Sequence, residues 1–184
     1  MVEHIIIAGS GGQGIMLVGK VLAEAAMREG KFLTWLPAYG PEVRGGTAHC
    51  MITISDMEIG SPYIKKAGIV IAMNQPSLNR FLDKTIQGGF LIYNSSLVSA
   101  QARLVSGKIN KKRLKIIGHP FTDIALRLGN IKVANMIALG CLMRHKNIVG
   151  FKTVIRAMEE IAPADKRELL EINHSALKEG MGLA

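Results

Sequence analysis

Residues 4–14, His-Ile-Ile-Ile-Ala-Gly-Ser-Gly-Gly-Gln-Gly, restrict what this chain can fold into more than any other stretch. An apolar run with strand character ends in a glycine-dense turn, and Ile15 to Arg28 follows with helical patterning. A strand that passes straight into a helix needs backbone dihedrals that glycine adopts without penalty. It also carries the helix N-terminus, with its unpaired N–H groups, to the edge of a sheet. Gly9, Gly11 and Gly14 fit G-x-G-x-x-G, a turn that lets a backbone approach a phosphate.

Three readings of the turn compete. A dinucleotide-binding fingerprint requires an acidic residue about 20 positions on, to hold a ribose hydroxyl. The matching region, Phe32 to Pro37, contains none, and Glu42 lies too far into the next loop. A phosphate-binding P-loop is spelled by Gly14 to Lys20, but Val21 stands where Ser or Thr is required. Ile15 to Val18 are all apolar and read as a buried first helical turn, with Gly19 allowing close helix packing. The third reading is a tight turn that binds nothing. Four glycines in six positions, with the Gln13 amide at the helix start, exceed what a simple turn needs. Gly9, Ser10, Gly11, Gly12, Gln13 and Gly14 are therefore nominated as a backbone cradle for an anion or as a close contact with another chain.

Strand character at 4–8, 31–36, 47–54, 69–73, 89–93 and 114–117 alternates with helical character. The helices are expected at 15–29, 76–82, 122–128, 131–145, 151–161 and 165–179. Residues 56–60 read as a turn plus a short strand. This order predicts a single α/β domain over 1–184, Rossmann-like, with three layers and helices on both faces of the sheet. The sheet is expected to be mixed but mostly parallel. The stretch 37–46 is too short for a parallel crossover, and inner strands such as Ile5-Ile6-Ile7 are apolar on both faces.

Hydrophobic residues make up 48% of the chain and the mean hydropathy is +0.24. No run approaches the ~18 apolar residues of a membrane span, so the excess predicts surface buried against other subunits. The N-terminus enters a strand directly, which reads as a cytoplasmic chain without a signal peptide. A net charge of +9 favours acidic partners. Only 5% of residues are aromatic, which argues against a binder that stacks single-stranded nucleic acid. Cys50 and Cys141 form no C-x-x-C and read as buried, reduced thiols. The five histidines lack metal-binding spacing. No catalytic residue and no metal ligand is nominated.

A second motif spans Ala38 to His49: Ala-Tyr-Gly-Pro-Glu-Val-Arg-Gly-Gly-Thr-Ala-His. Pro41 fixes φ after Gly40, while Gly45 and Gly46 permit positive φ before a strand. Tyr39, Glu42 and Arg44 lie on this constrained loop. Glu42 and Arg44 either pair with each other in water, or the loop presents Arg44 to a carboxylate, a phosphate or a partner chain.

Together, Ala-Gly-Ser-Gly-Gly-Gln-Gly and Tyr-Gly-Pro-Glu-Val-Arg-Gly-Gly resemble the gamma subunit of 2-oxoacid:ferredoxin oxidoreductases, most of all the 2-oxoglutarate enzymes. Asn74-Gln75 and Asn135-Met136-Ile137-Ala138-Leu139-Gly140 add to the likeness, which covers nearly the whole chain. The resemblance implies one subunit of an enzyme that converts a 2-oxoacid and coenzyme A to acyl-CoA and carbon dioxide. Thiamine diphosphate, magnesium and iron–sulfur clusters would sit on alpha, beta and delta-type partner chains, with ferredoxin as electron acceptor and none of these groups held by this chain alone. The isolated chain would be inactive. It would serve assembly, with the glycine turn meeting a coenzyme A phosphate or a partner. The loop Tyr39, Gly40, Pro41, Glu42, Arg44, Gly45 and Gly46 would lie at a partner contact or active-site entrance. The basic run Lys108, Lys111, Lys112, Arg113 and Lys115 reads as a solvated edge, or as a surface for an anion or acidic ferredoxin. Pyruvate, branched-chain 2-oxoacid and indolepyruvate enzymes remain alternatives. So do a nicotinamide- or flavin-binding domain and a basic nucleic-acid-binding module.

Overall fold

The computed structural model describes residues 1–38, 47–99, 112–162 and 168–183. Strands β1 (Val2–Gly9), β2 (Phe32–Ala38), β3 (Ala48–Ser55), β4 (Ala67–Ala72), β5 (Thr85–Asn94) and β6 (Lys115–His119) form one six-stranded sheet in the order β2-β3-β1-β4-β5-β6. The helices are α1 (Ile15–Arg28), α2 (Gln75–Phe81), α3 (Phe121–Arg127), α4 (Ala134–His145), α5 (Phe151–Ile161) and α6 (Glu168–Gly182). Strand β3 runs antiparallel to both β1 and β2, whereas the β1–β4, β4–β5 and β5–β6 pairs are parallel. The mixed, mostly parallel sheet predicted from connection lengths is what forms.

The two apolar faces of β1 explain the layers. Ile5 and Ile7, with Ile69 and Ile71 of β4, pack into the core that contains α1 and α3 to α6. Ile6 and Ala8, with Val70 and Ala72, turn the other way onto Leu78, Phe81 and Leu82 of α2 and the short 3-10 turn after it. Period-two alternation thus buries every residue from Ile5 to Ala8. Among the described residues, α2 and this 3-10 turn are the helical elements on that second face. Helix α1 stops at Gly30, where φ is +70° and the Lys31 N–H bonds the Ala26 carbonyl at 3.1 Å.

Glycines set the helix spacing. A Cβ on Gly19 would lie 2.6 Å from Cys50 Sγ, so α1 rests close on β3, as its sequence suggested. At the crossing of α4 and α6, a Cβ on Gly140 would strike the Leu177 carbonyl oxygen, and one on Gly180 would strike that of Ile137. Backbone meets backbone there.

Some expectations needed correction. No strand forms at residues 56–60. Asp56 instead bonds the Met1 amino group at 2.5 Å and Lys31 at 3.3 Å, and these two contacts hold its carboxyl below the usual range. The helix expected over 131–145 is divided. Asn130 caps a 3-10 turn, Ile131–Val133, by accepting from the Lys132 N–H at 3.0 Å, and α4 proper begins at Ala134. Within the first turn of α1, Ile15 and Val18 are buried but Leu17 stands 40% exposed.

Gly140→Ala and Gly180→Ala should each lower stability by about 1–3 kcal/mol, because α4 and α6 must separate. Gly182→Ala, where nothing lies within 4 Å, should be neutral or slightly stabilising. Urea unfolding of the three variants checks this. Equal stabilities would show that the crossing yields without cost.

Candidate functional site

The parallel strands β1, β4, β5 and β6 end at one edge of the sheet. In open α/β sheets ligands bind outside the carboxyl ends, where successive connections leave to opposite faces. Here β1 leads to α1 on the thick face and β4 leads to α2 on the thin one. The glycine turn stands at that divergence.

Within the turn the glycines do different work. Gly14 has φ +68° and caps α1 without any side-chain bond. A Cβ on it would strike the side-chain amide of Asn135, whose Nδ2 donates to the Gly14 carbonyl at 3.2 Å. Gly9 is closed in by Gln13 and Ile15. Gly12 also has positive φ, +86°, yet a Cβ there would meet nothing within 4 Å. Ser10, Gly11 and Gly12 are exposed. The N–H groups of Gly11, Gly12 and Gly14 find no acceptor among the described residues. That arrangement suits an anion or a partner carbonyl at Gly11 and Gly12, and internal packing at Gly9 and Gly14.

Gln13 is turned inward rather than offered to a ligand. Its Oε1 accepts from the Ser10 N–H at 2.6 Å and its Nε2 points to the Met73 carbonyl at 3.5 Å. Asn74 ties the next connection to the turn. Its Nδ2 donates to Ser10 Oγ at 2.5 Å while its Oδ1 caps α2 through the Ser77 N–H at 2.9 Å. Asn94, fully buried at the end of β5, donates to Thr122 Oγ1 at 2.8 Å and accepts from the Thr122 N–H at 3.3 Å. Three asparagines therefore stitch the loops after β1, β4 and β5 to one another and to α4. The sequence reading missed Asn94; a lone polar residue closing the apolar run Phe90 to Tyr93 was the available signal.

Residues 39–46, including Tyr39, Gly40, Pro41, Glu42, Arg44, Gly45 and Gly46, lie outside the described residues. Their flanks are informative. Ala48 pairs with Gly9 and Ala38 with His49, so both ends of this segment join the sheet at the edge that carries the glycine turn. Lys108 and Lys111 are also outside the described residues. Lys112 is engaged structurally: its Nζ donates to the carbonyls of Leu82, Asp83 and Thr85 at 3.3, 2.9 and 3.0 Å. A cation there complements the carbonyl end of α2 and its 3-10 extension. Lys115 lies over the Phe90 ring at 5.0 Å.

Beside the turn a cavity of about 320 Å³ opens between α1, the 130–136 segment, α5 and α6. Its walls are mostly aliphatic, with Asn130, Lys132, Asn135 and Asn173 as the polar contributors. Elsewhere, Cys50 and Cys141 are both buried free thiols, and burial pushes each up to about 12. His145 is held below its ordinary value, first by burial and then by His119 and Arg144. Among the described residues no three His, Cys, Asp or Glu side chains gather where a metal ion could sit, and no helix is long and apolar enough to cross a membrane.

The sequence model of the pyruvate ferredoxin/flavodoxin oxidoreductase family matches residues 4–183, and the chain belongs to that family. Ketoisovalerate oxidoreductase subunit VorA of Methanothermobacter thermautotrophicus (strain Delta H) is 35% identical over 178 residues, which are 96% of this chain and 35% of that protein. The chain thus spans about a third of the length of that relative. The 2-oxoglutarate synthase subunit KorC of the same organism is 34% identical over 168 residues, 90% of this chain and 88% of that one. The crystal structure of a keto/oxoacid ferredoxin oxidoreductase gamma subunit from Geobacter sulfurreducens PCA superposes with a TM-score of 0.81 at 25% identity, covering 97% of this chain and 96% of the other.

Replacing Gly14 by Ala should cost about 2–4 kcal/mol, combining left-handed strain with displacement of Asn135. Asn135→Ala should cost about 1–3 kcal/mol, because the Met136 N–H loses its side-chain acceptor and the Gly14 carbonyl keeps only the Val18 N–H. Gly12→Ala should cost only the strain, about 1–2 kcal/mol. Chemical denaturation ranks the three; a Gly12 variant as unstable as the Gly14 variant would contradict the division of labour.

Both thiols should resist a disulfide reagent at pH 8 in the folded protein and react on unfolding. Their folded pKa lies above the ordinary 9.0, so the native state holds protons that the unfolded chain releases. Stability therefore falls as pH rises from about 9 toward 12. Rapid native-state labelling would show that the thiols are accessible.

Proposed function

We propose that this member of the family is the gamma subunit of a cytoplasmic 2-oxoacid:ferredoxin oxidoreductase. The holoenzyme would convert a 2-oxoacid and coenzyme A to acyl-CoA and carbon dioxide, passing two electrons to ferredoxin. The family match over residues 4–183 carries this reading. The chain is one domain of that machine and does not act alone.

Its residues do not fit the redox groups. Cys50 and Cys141 are buried, neutral thiols on separate elements, β3 and α4, whereas cluster ligation needs gathered thiolates. In this reading thiamine diphosphate, magnesium and the iron–sulfur clusters belong to alpha, beta and delta-type chains. Coenzyme A is the group this chain has chemistry for. The exposed N–H groups of Gly11 and Gly12 sit before an α-helix N-terminus and can receive one of its phosphates. Gly9 and Gly14 hold the shape of that cradle, with Ser10 fixed by Asn74. The segment 39–46, whose flanks adjoin the turn, is proposed to present Arg44 and Glu42 to a partner at the active-site entrance.

The proposed 2-oxoacid is 2-oxoglutarate. The match to KorC of Methanothermobacter thermautotrophicus, over 90% of this chain and 88% of that one, supports this choice. VorA and a Thermococcus litoralis chain named pyruvate/ketoisovalerate oxidoreductases common subunit gamma keep branched-chain 2-oxoacids and pyruvate as the competing substrates.

Combined with its alpha and beta chains, the protein should support viologen reduction that requires both coenzyme A and 2-oxoglutarate, and alone it should be inactive. In the assembled enzyme Gly12→Val should raise the KM for coenzyme A by about 5- to 30-fold, the loss expected for one or two backbone contacts, with the 2-oxoacid KM unchanged. Faster turnover with pyruvate or ketoisovalerate would displace 2-oxoglutarate. Tight NAD binding by the free chain would sink the subunit reading.

A further inference from the structure

The cavity beside the glycine turn is not accounted for by a cradle for phosphate. At about 320 Å³ it has room for roughly ten waters, yet its walls are mostly aliphatic side chains of α1, the 130–136 segment, α5 and α6. Two of the lining residues, Leu17 and Leu169, are each 40% exposed, and Ile131, between lining residues Asn130 and Lys132, is 53% exposed. Apolar walls with an apolar rim form a patch that water solvates poorly. Among the described residues the lining carries one sign of charge. Lys132 is part of it, and no carboxylate stands among the described lining residues. The smaller cavity at the opposite edge of the sheet differs on this point, since its Glu3 and Lys146 pair with each other at 2.7 Å.

The comparison with VorA adds an independent constraint. There the counterpart of this whole domain is continuous with a polypeptide about three times longer, since it makes up 35% of that chain. A domain that occurs both by itself and joined to further chain needs a face that closes against the rest. Protein interfaces are anchored where one partner's apolar side chain fills the other's pocket, ringed by polar contacts.

We propose that this cavity is the socket by which the chain docks on its catalytic partner, taking an apolar anchor side chain flanked by a carboxylate that pairs with Lys132. The proposal rests on the subunit reading above. Leu17 and Leu169 would wrap the anchor, and Lys132 would select its acidic neighbour. Because Gly12 and Gly14 line the same cavity, docking would also set the glycine turn against the partner chain.

The test uses the full-length chain co-expressed with the alpha and beta chains of the enzyme, with assembly followed by mass photometry and activity by viologen reduction. Leu17→Glu and Leu169→Glu place a charge at the rim, where 40% exposure makes the fold tolerant. Each should weaken assembly by at least about 30-fold, the scale of a hot-spot residue, with the melting temperature of the free subunit unchanged. Lys132→Glu should do the same and Lys132→Arg should restore assembly. Tyr63→Glu, 55% exposed on the other face of the sheet, should assemble normally. Rim variants that assemble like the native chain would overturn the socket. So would normal assembly with a raised KM for coenzyme A, which would assign the cavity to the cosubstrate. If the native chain itself fails to assemble, the subunit reading falls and the socket with it.

Discussion

The contact between Gly14 and Asn135 organises the functional edge of this molecule. Gly14 adopts a left-handed backbone that ends β1 and starts α1 in the space of one turn, and Asn135 fills the place a side chain would need. One amide thereby adds a second hydrogen bond to the Gly14 carbonyl, which also accepts from the Val18 N–H, and accepts the Met136 N–H in the first turn of α4. Polar groups withdrawn from water must be satisfied by protein, so the contact tolerates little displacement. Residues far apart in the chain are held in one register, and the cavity between α1 and α4 follows from it.

Around this contact the molecule separates rigid from available parts. Asn74 and Asn94 secure the connections after β4 and β5, and Gln13 folds back on Ser10. Among the described residues, a short piece of backbone at this edge, Gly11 and Gly12, stays unspent, with the apolar mouth next to it. The surface is preorganised, and the cost of ordering it is met by the hydrogen bonds beneath it.

The antiparallel placement of β3 matters as much. Had β2 led to a parallel strand, the segment 39–46 would have had to cross the sheet. Because β3 instead returns beside β1, Ala48 meets Gly9 and the two glycine-rich motifs are rooted at the same edge. The connection length predicted this pairing, yet it could not tell which strand β3 would join on its other side.

By itself the sequence determined the architecture and the family. The strand-to-helix turn, the doubly apolar runs at Ile5–Ile7 and Ile69–Ile71 and the short link after β2 are local signals, and local geometry suffices to read them. The paired motifs did the rest. Only the tertiary structure decided which glycines are packing devices and which are open, since Gly12 and Gly14 share a positive φ and differ solely in what stands opposite. It also decided that Gln13 faces inward, that Lys112 caps a helix rather than facing solvent as part of a basic edge, and that Leu17 lines a cavity rather than a core. These distinctions rest on contacts between residues distant in sequence, such as Gly14 with Asn135. Such contacts leave no periodicity or spacing to read, because they exist only once the layers have packed.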